Sequence, residues 1–227
     1  MSRSEALEAK RRIRRIKFLA EELTDTRTVV DAVTVEVLDI VNKLHVKLGH
    51  KKNRKYPTPS LRQQRAKKES EEEVLDVDEM DDADGGREPV PAWAKKLYRK
   101  IASLTHPDKG VANGLSKKEL EENAALIRIA NVAMSDRKWS MLIDVAASLE
   151  IAEDLTKNED FLDLARSREL ELDAQINEHK NSFFWHWLQS EKDDATRVRM
   201  INAYMESAGY EPVDAEMIIE TLRETGH

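Results

Sequence analysis

The sequence has no cysteine, which excludes disulfide bonds and thiolate chemistry and makes a reducing compartment the natural environment. Glycine and proline are scarce, at 7 and 6 of 227 residues, whereas all-β folds usually need more turn residues. Aromatic residues make up only 5% of the chain and charged residues 36%, a mixture typical of helices with wide solvated faces. These shortages predict an all-α protein.

No stretch is apolar for long enough to span a bilayer, and the charged N-terminal residues contain no apolar run that could act as a signal peptide. The sequence therefore predicts no membrane contact and a cytoplasmic location, which is the host cytoplasm if the chain is viral. The formal net charge of -7 disfavours general nucleic-acid binding. Because the charge is clustered, the basic segments Lys10–Lys17 and Lys51–Lys68 remain candidates for phosphate contacts.

Residues 1–50 are predicted to form one long helix with a heptad seam. Spacings of three and four alternate through Ile13, Ile16, Ala20, Leu23, Arg27, Val30, Thr34, Val37, Val41, Leu44 and Leu48. A seam this narrow needs a second helix to cover it. Two arrangements remain open: a hairpin with another helix of the same chain, or a homodimeric coiled coil through residues 13–48.

Residues 51–88 form a linker in which a basic block precedes an acidic one. The acidic part, from Glu69 to Asp84, has few apolar residues. Like charges repel and little apolar surface is available for burial, so this segment is predicted to be disordered.

Residues 89–151 show the pattern of a small helical domain. An apolar stripe through Trp93, Leu97, Ile101 and Leu104 predicts a helix that ends near Pro107. A loop containing Gly110, Asn113 and Gly114 follows. Ser116 and Glu119 then have the spacing of a capping box, which predicts the start of the next helix.

The tripeptide His106-Pro107-Asp108 closes the first of these helices. The cations before it lie largely on the helix face opposite the apolar stripe, and such a face attracts an acidic protein surface and speeds encounter. Pro107 restricts the backbone, and Asp108 can accept a bidentate hydrogen bond from an arginine of a partner. The alternative is that His106 only ends a helix and Asp108 only caps the following turn.

The segment AKKLYRKIASLTHPDK, from Ala94 to Lys109, resembles the second helix and signature loop of J-domain co-chaperones. In that family the helix and loop dock on the ATPase domain of Hsp70 and trigger ATP hydrolysis, which locks Hsp70 onto its client. The resemblance implies a non-enzymatic co-chaperone with an Hsp70-type partner and an unknown client. It assigns partner binding to His106, Pro107, Asp108, Lys95, Lys96, Tyr98, Arg99, Lys100 and Lys109.

The resemblance covers only residues 90 to about 150, and it departs from the family pattern. No short first helix of the Tyr-Tyr-x-x-Leu type precedes Pro89, so the domain core is expected to be trimmed or rebuilt by flanking helices. Tyr98 is as compatible with core packing as with partner contact. The alternative function is an interaction or assembly protein, of viral or other origin, whose J-like domain does not stimulate an ATPase.

Residues 152–227 are predicted to be helical, with a long helix from 152 to about 190. Two shorter helices, at about 193–208 and 214–224, are separated by Gly209 and Pro212. The aromatic cluster around Trp185 and Trp187 either anchors these helices or contacts a partner. The fold prediction is therefore a small J-like helical domain flanked by long N-terminal and C-terminal helices.

Nothing in the sequence indicates catalysis or a cofactor. The six histidines have no HxxxH spacing and no cysteine beside them, so a metal site is not expected. There is no glycine-rich phosphate loop and no suggestive Ser-His-Asp order.

Overall fold

The computed structural model describes residues 3–49, 89–151, 159–190 and 193–225, and every regular element in these ranges is a helix. This confirms the all-α prediction and the long N-terminal helix. The helices are α1 (Arg3–Lys47), α2 (Ala92–Thr105), α3 (Pro107–Ala112), α4 (Lys117–Ser135), α5 (Trp139–Ser148), α6 (Glu159–Lys180), α7 (Phe183–Gln189), α8 (Asp194–Ser207) and α9 (Ala215–Glu224). Within these ranges, no helix has the length and apolarity that a membrane span requires. The linker prediction for residues 51–88 lies outside the described residues.

The helices form two compact units, and each combines distant parts of the chain. Unit 1 takes its helices from within Met1–Glu21 and Lys68–Asp173, and unit 2 from within Glu22–Lys67 and Ala174–His227. Helices α1 and α6 therefore each contribute residues to both units. The J-like segment lies in unit 1, and the aromatic cluster of α7 lies in unit 2.

The seam of α1 is buried, but its register differs from the predicted one. The predicted positions Ile16, Leu23, Val30, Val37 and Leu44 are at most 8% exposed. The alternate buried positions come three residues after these, at Leu19, Thr26, Val33 and Ile40. Of the predicted positions four residues after Ile16, Leu23, Val30 and Val37, Val41 is buried, whereas Ala20, Arg27 and Thr34 are not. Arg27 is consequently exposed and Thr34 only half-buried, which explains why two polar residues interrupted the predicted seam.

Other helices of the same chain cover this seam. In unit 2, Val33, Val37, Ile40 and Leu44 share one core with residues of α7, α8 and α9, among them Trp187, Ile201 and Leu222. In unit 1, α1 lies beside α6, with ion pairs Glu8–Arg166 at 3.5 Å, Arg12–Glu169 at 3.2 Å and Arg15–Asp173 at 3.6 Å. Because the paired residue numbers rise together, these two helices run parallel and do not form a hairpin. The buried seam favours the intrachain arrangement over a homodimer through residues 13–48.

The long helix predicted to reach residue 190 ends at Lys180. Ser182 begins a new helix, because its Oγ accepts a hydrogen bond from the backbone N–H of Trp185 at 3.3 Å. Serine is a strong N-cap, and it competes with continuation of the preceding helix. The last two predicted helices are confirmed as α8 and α9, and Gly209 between them has a positive φ of 84° that favours glycine.

Trp187 is the fully buried anchor of unit 2. Its indole Nε1 donates a hydrogen bond to Glu36 at 2.8 Å, and the guanidinium of Arg197 lies 4.8 Å from its ring centroid. Trp185 is only half-buried, with the Lys180 ammonium 6.0 Å from its ring. The two tryptophans therefore differ: Trp187 serves packing, whereas part of Trp185 reaches the surface.

The core of unit 1 combines α2 and α5 with the flanking helix α6. Trp93 of α2 makes edge-to-face contacts with Trp139 of α5 at 5.9 Å and with Phe161 of α6 at 5.8 Å between ring centroids. Phe161 is almost fully buried. An aromatic residue from outside residues 89–151 thus completes the packing around α2, as expected of a core rebuilt by flanking helices.

The capping box that starts α4 is confirmed. The backbone N–H of Ser116 donates to Glu119 Oε2 at 2.7 Å, and the backbone N–H of Glu119 donates to Ser116 Oγ at 3.3 Å. The hydrogen bonds with Ser116 hold the pKa of Glu119 below its ordinary value of 4.5. Because the pKa is lowered by folding, the ionised Glu119 carboxylate stabilises the folded state. This stabilisation is fully present above the unfolded-state pKa and is lost as pH falls through the folded-state pKa.

Replacing Ser116 should therefore have a pH-dependent effect on stability. We expect Ser116→Ala to lower the free energy of unfolding by about 1 kcal/mol at neutral pH, as for other N-caps. The difference from wild type should shrink at acidic pH, as the pH falls through the lowered folded-state pKa of Glu119. Urea unfolding at the two pH values measures this, with the exposed Ser135→Ala at the end of α4 as control. An equal loss at both pH values would contradict the reciprocal role of Glu119.

Candidate functional site

Helix α2 turns its apolar side into the core of unit 1 and its cations outward. Trp93, Leu97 and Ile101 are buried as predicted, whereas Leu104 is 48% exposed. Thr105 takes the last core position, with 3% exposure, and its hydroxyl donates to the carbonyl of Ile101 at 2.9 Å. The apolar stripe therefore continues from Ile101 to Thr105, at a spacing of four. Thr105 can be buried because its hydroxyl has a hydrogen-bond partner within the helix.

His106 joins α2 to α3 by capping both helices. It follows the last residue of α2, and its Nδ1 accepts a hydrogen bond from the backbone N–H of Asp108 at 3.3 Å. Pro107 occupies the first position of α3, where proline has a suitable φ and needs no hydrogen-bond donor. The six-residue helix thus occupies the first part of the predicted loop, and Asn113 and Gly114 lie in the turn that follows it. The signature residues lie at a sharp, hydrogen-bonded corner between two helices.

The corner presents its polar side chains to solvent. The side chain of His106 is 45% exposed and that of Asp108 is 91% exposed. Asp108 Oδ2 lies 3.8 Å from His106 Nδ1, and Lys109 Nζ donates to Ser103 Oγ at 2.6 Å. The sequence left open whether His106 and Asp108 are exposed for a partner or only cap the helices. In the structure these residues are exposed and also take part in capping.

The cations of α2 remain on its outward side. Lys96 and Arg99 are exposed, and Lys95 and Lys100 are half-buried. All four precede the corner on one 14-residue helix. A cationic surface therefore leads along α2 to His106, Pro107 and Asp108.

Tyr98 is the exception among the predicted contact residues. It is 1% exposed, and its hydroxyl donates to Asn131 Oδ1 of α4 at 2.7 Å. Its position between Leu97 and Arg99 did not reveal this, because both faces of a helix can accept a tyrosine. Tyr98 is a core residue, and its inclusion in the docking face was wrong.

Tyr98→Phe tests this correction. Loss of the hydroxyl leaves a polar atom of Asn131 with one fewer partner, so we expect the free energy of unfolding to fall by about 1 kcal/mol. Chemical denaturation measures the effect. Unchanged stability of Tyr98→Phe would contradict a structural role for the hydroxyl.

Gly110 allows α3 to pack closely against the start of α4. A Cβ atom at this position would overlap Cδ2 of Leu120 and lie 3.3 Å from Cδ1 of Leu115. Glycine therefore permits the close approach that places the corner beside α4.

A recess of about 230 Å³ lies directly behind the corner. His106 and Pro107 form one side of it, and α4 contributes Leu120, Ala124 and Ile127. Most of its lining is apolar, so it could hold an apolar side chain of a molecule docked at the corner. Sequence reasoning missed this recess, although the small residues Ala102 and Ala124 on two facing helices were an available signal.

No protein-family model matches this chain, and neither the curated proteins nor the solved structures contain a match. The interpretation of the corner therefore depends on its residues and geometry.

Proposed function

We propose that this protein is a J-domain co-chaperone. It docks on an Hsp70-type chaperone through α2 and the His106-Pro107-Asp108 corner, stimulates ATP hydrolysis by that partner, and recruits it to a specific client or complex. The observation that carries the proposal is the exposure of the His-Pro-Asp tripeptide at a rigid corner after a cationic helix.

The proposal required the corner and the cations to be accessible. Burial of the tripeptide, or coverage of the basic face by flanking helices, would have removed the docking surface. Asp108 is almost fully exposed, and Lys96 and Arg99 are exposed as well. The described part of the chain is therefore compatible with docking of a folded partner.

The mechanism is a shift in the partner's conformational equilibrium. The cations of α2 attract an acidic surface and orient the encounter. Asp108 then offers a carboxylate to an arginine of the partner from a position that capping by His106 holds fixed. The contact can favour the hydrolysis-competent state of the partner only if it is stronger in that state. This chain itself makes and breaks no bond.

The second candidate is an interaction or assembly protein with a J-like domain that does not stimulate an ATPase. Two observations favour it: Tyr98 is withdrawn into the core, and the Lys109 ammonium is hydrogen-bonded to Ser103. Both reduce the docking face relative to the nine residues assigned from sequence. Binding to an Hsp70-type chaperone without any change in its hydrolysis rate would support this candidate.

Single-turnover ATP hydrolysis distinguishes the two functions. We expect the full-length protein to raise the rate of an Hsp70-type chaperone from the same cells several-fold. A pull-down with purified chaperone should retain it on wild-type protein and lose it on His106→Gln. Unchanged hydrolysis with every such chaperone of the cell would contradict the proposed function.

A further inference from the structure

One face of α1 in unit 1 carries two arginines between two exposed apolar side chains. Residues Leu7, Arg11, Arg14 and Phe18 are spaced by four, three and four, so they project from the same side of the helix. Leu7 is 51% exposed, Phe18 is 55% exposed, and both arginines are exposed. We call these four residues the outer face of α1; it extends over about 16 Å at 1.5 Å per residue.

Three other cations along this stretch lie outside the outer face and form ion pairs. Arg12 binds Glu8 and Glu169, Arg15 lies 3.6 Å from Asp173, and Lys17 binds Glu150 at 2.8 Å. These contacts use their charge within the fold.

Arg11 and Arg14 differ from these three cations. Among the residues that the structure describes, no carboxylate lies within ion-pair distance of either guanidinium. The pKa of Glu150 is lowered mainly by its hydrogen bond with Lys17. The charge of Arg14 lowers it further by a smaller amount. The outer face therefore keeps a local positive charge although the whole chain has a net charge of -7.

We infer that the outer face of α1 binds single-stranded nucleic acid. Arg11 and Arg14 contact phosphates, and Phe18 stacks on an unpaired base. The side chains of Arg11 and Arg14 lie one turn apart, about 5–6 Å between Cβ atoms, so both can reach one backbone. Guanidinium groups bind phosphate oxygens in pairs, and an exposed aromatic ring offers a stacking surface for any base.

The spacing of the apolar residues argues against an acidic helix as the occupant. A partner helix needs apolar contacts in each turn of the seam. Leu7 and Phe18 are separated by about three turns, and the positions between them on this face carry charge. A duplex is also a poorer match, because its stacked bases leave no ring face for Phe18.

The test measures the binding of the full chain to fluorescently labelled oligouridylate and oligothymidylate of about 12 nucleotides by anisotropy. We expect Arg11→Glu with Arg14→Glu to weaken binding by tenfold or more, and Phe18→Ala by about fivefold or more. The logarithm of the association constant should fall with the logarithm of salt concentration with a slope of about -1.4, for two phosphates.

Matched variants separate the outer face from overall charge and folding. Arg128→Glu with Arg223→Glu changes the net charge equally at exposed arginines elsewhere, and Leu170→Ala removes another exposed apolar side chain. Both should bind like wild type. A thermal melt shows whether the double charge reversal unfolds the helix. If it does, the double variant Arg11→Gln with Arg14→Gln removes the same charges with a milder change.

Three results would overturn the inference. The first is no binding of either oligonucleotide at low salt. The second is equal weakening by the control charge reversal. The third is a pair of results: polyglutamate competes with the oligonucleotides, and Phe18→Ala binds them as tightly as wild type does. That pair would identify an acidic polypeptide as the occupant. Because these variants lie outside α2 and α3, stimulation of an Hsp70-type chaperone should be unaffected and tests the proposed function separately.

Discussion

Asp108→Asn should reduce stimulation of an Hsp70-type ATPase by about tenfold or more. The substitution keeps the size of the side chain but removes the charge that pairs with an arginine, and charged hydrogen bonds contribute about 1.5–3 kcal/mol. The Asp108 side chain is 91% exposed, so its shape should have little effect on folding. Single-turnover hydrolysis at a fixed ratio of the two proteins measures the loss.

The control for Asp108→Asn is Asp160→Asn, which neutralises an exposed carboxylate on α6. This variant should stimulate like wild type. Thermal melts of both variants should lie close to that of wild type, since the cap at the corner uses the backbone N–H of Asp108 and the His106 ring. Full stimulation by Asp108→Asn would remove the corner from the mechanism.

Trp187→Ala should lower the free energy of unfolding of unit 2 by about 3–5 kcal/mol. The ring is completely buried, so truncation leaves a large cavity in the core shared by α1, α7, α8 and α9. The substitution also leaves Glu36 without the indole donor and Arg197 without the ring beside its guanidinium. Urea unfolding followed by far-UV circular dichroism measures the effect without relying on the tryptophan itself.

Leu188→Ala is the matched control for Trp187→Ala. Leu188 is the next residue on α7 and is 37% exposed, so its truncation should change stability by about 0.5 kcal/mol or less. A loss of similar size from both variants would contradict a dominant contribution from burial of the Trp187 ring.

The capped corner illustrates what could be predicted at the candidate site. The spacing of Ser116 and Glu119 predicted the start of α4, and Pro107 predicted the end of α2, because both signals act within one helical turn. The outward position of Lys96 and Arg99 followed from the apolar stripe through Leu97 and Ile101. The recess behind His106 was not predicted. The small residues Ala102 and Ala124 were a signal for it, but its size also depends on how closely Gly110 lets α3 approach α4.

Leu104 was expected in the apolar stripe but is half-exposed, whereas Tyr98, which the sequence left open between core and surface, is buried. Both residues lie near the edge of the apolar stripe of α2, where a shift of a few tens of degrees decides burial. Asn131 on α4 supplies the hydrogen bond that makes burial of Tyr98 favourable. That partner is 33 residues away in the chain, so no local pattern identifies it.

The amino-acid sequence by itself determined the all-α fold class, the seven-residue apolar repeat of α1 and the local caps, since each depends on residues within a few turns. Only the tertiary structure decided that the seam uses Thr26 and Val33 in place of Arg27 and Thr34, and that helices of the same chain cover it. The physical reason is that two adjacent positions on a helix differ by only about 100°. Which of them is buried depends on the helices that pack against it, and those come from distant parts of the chain.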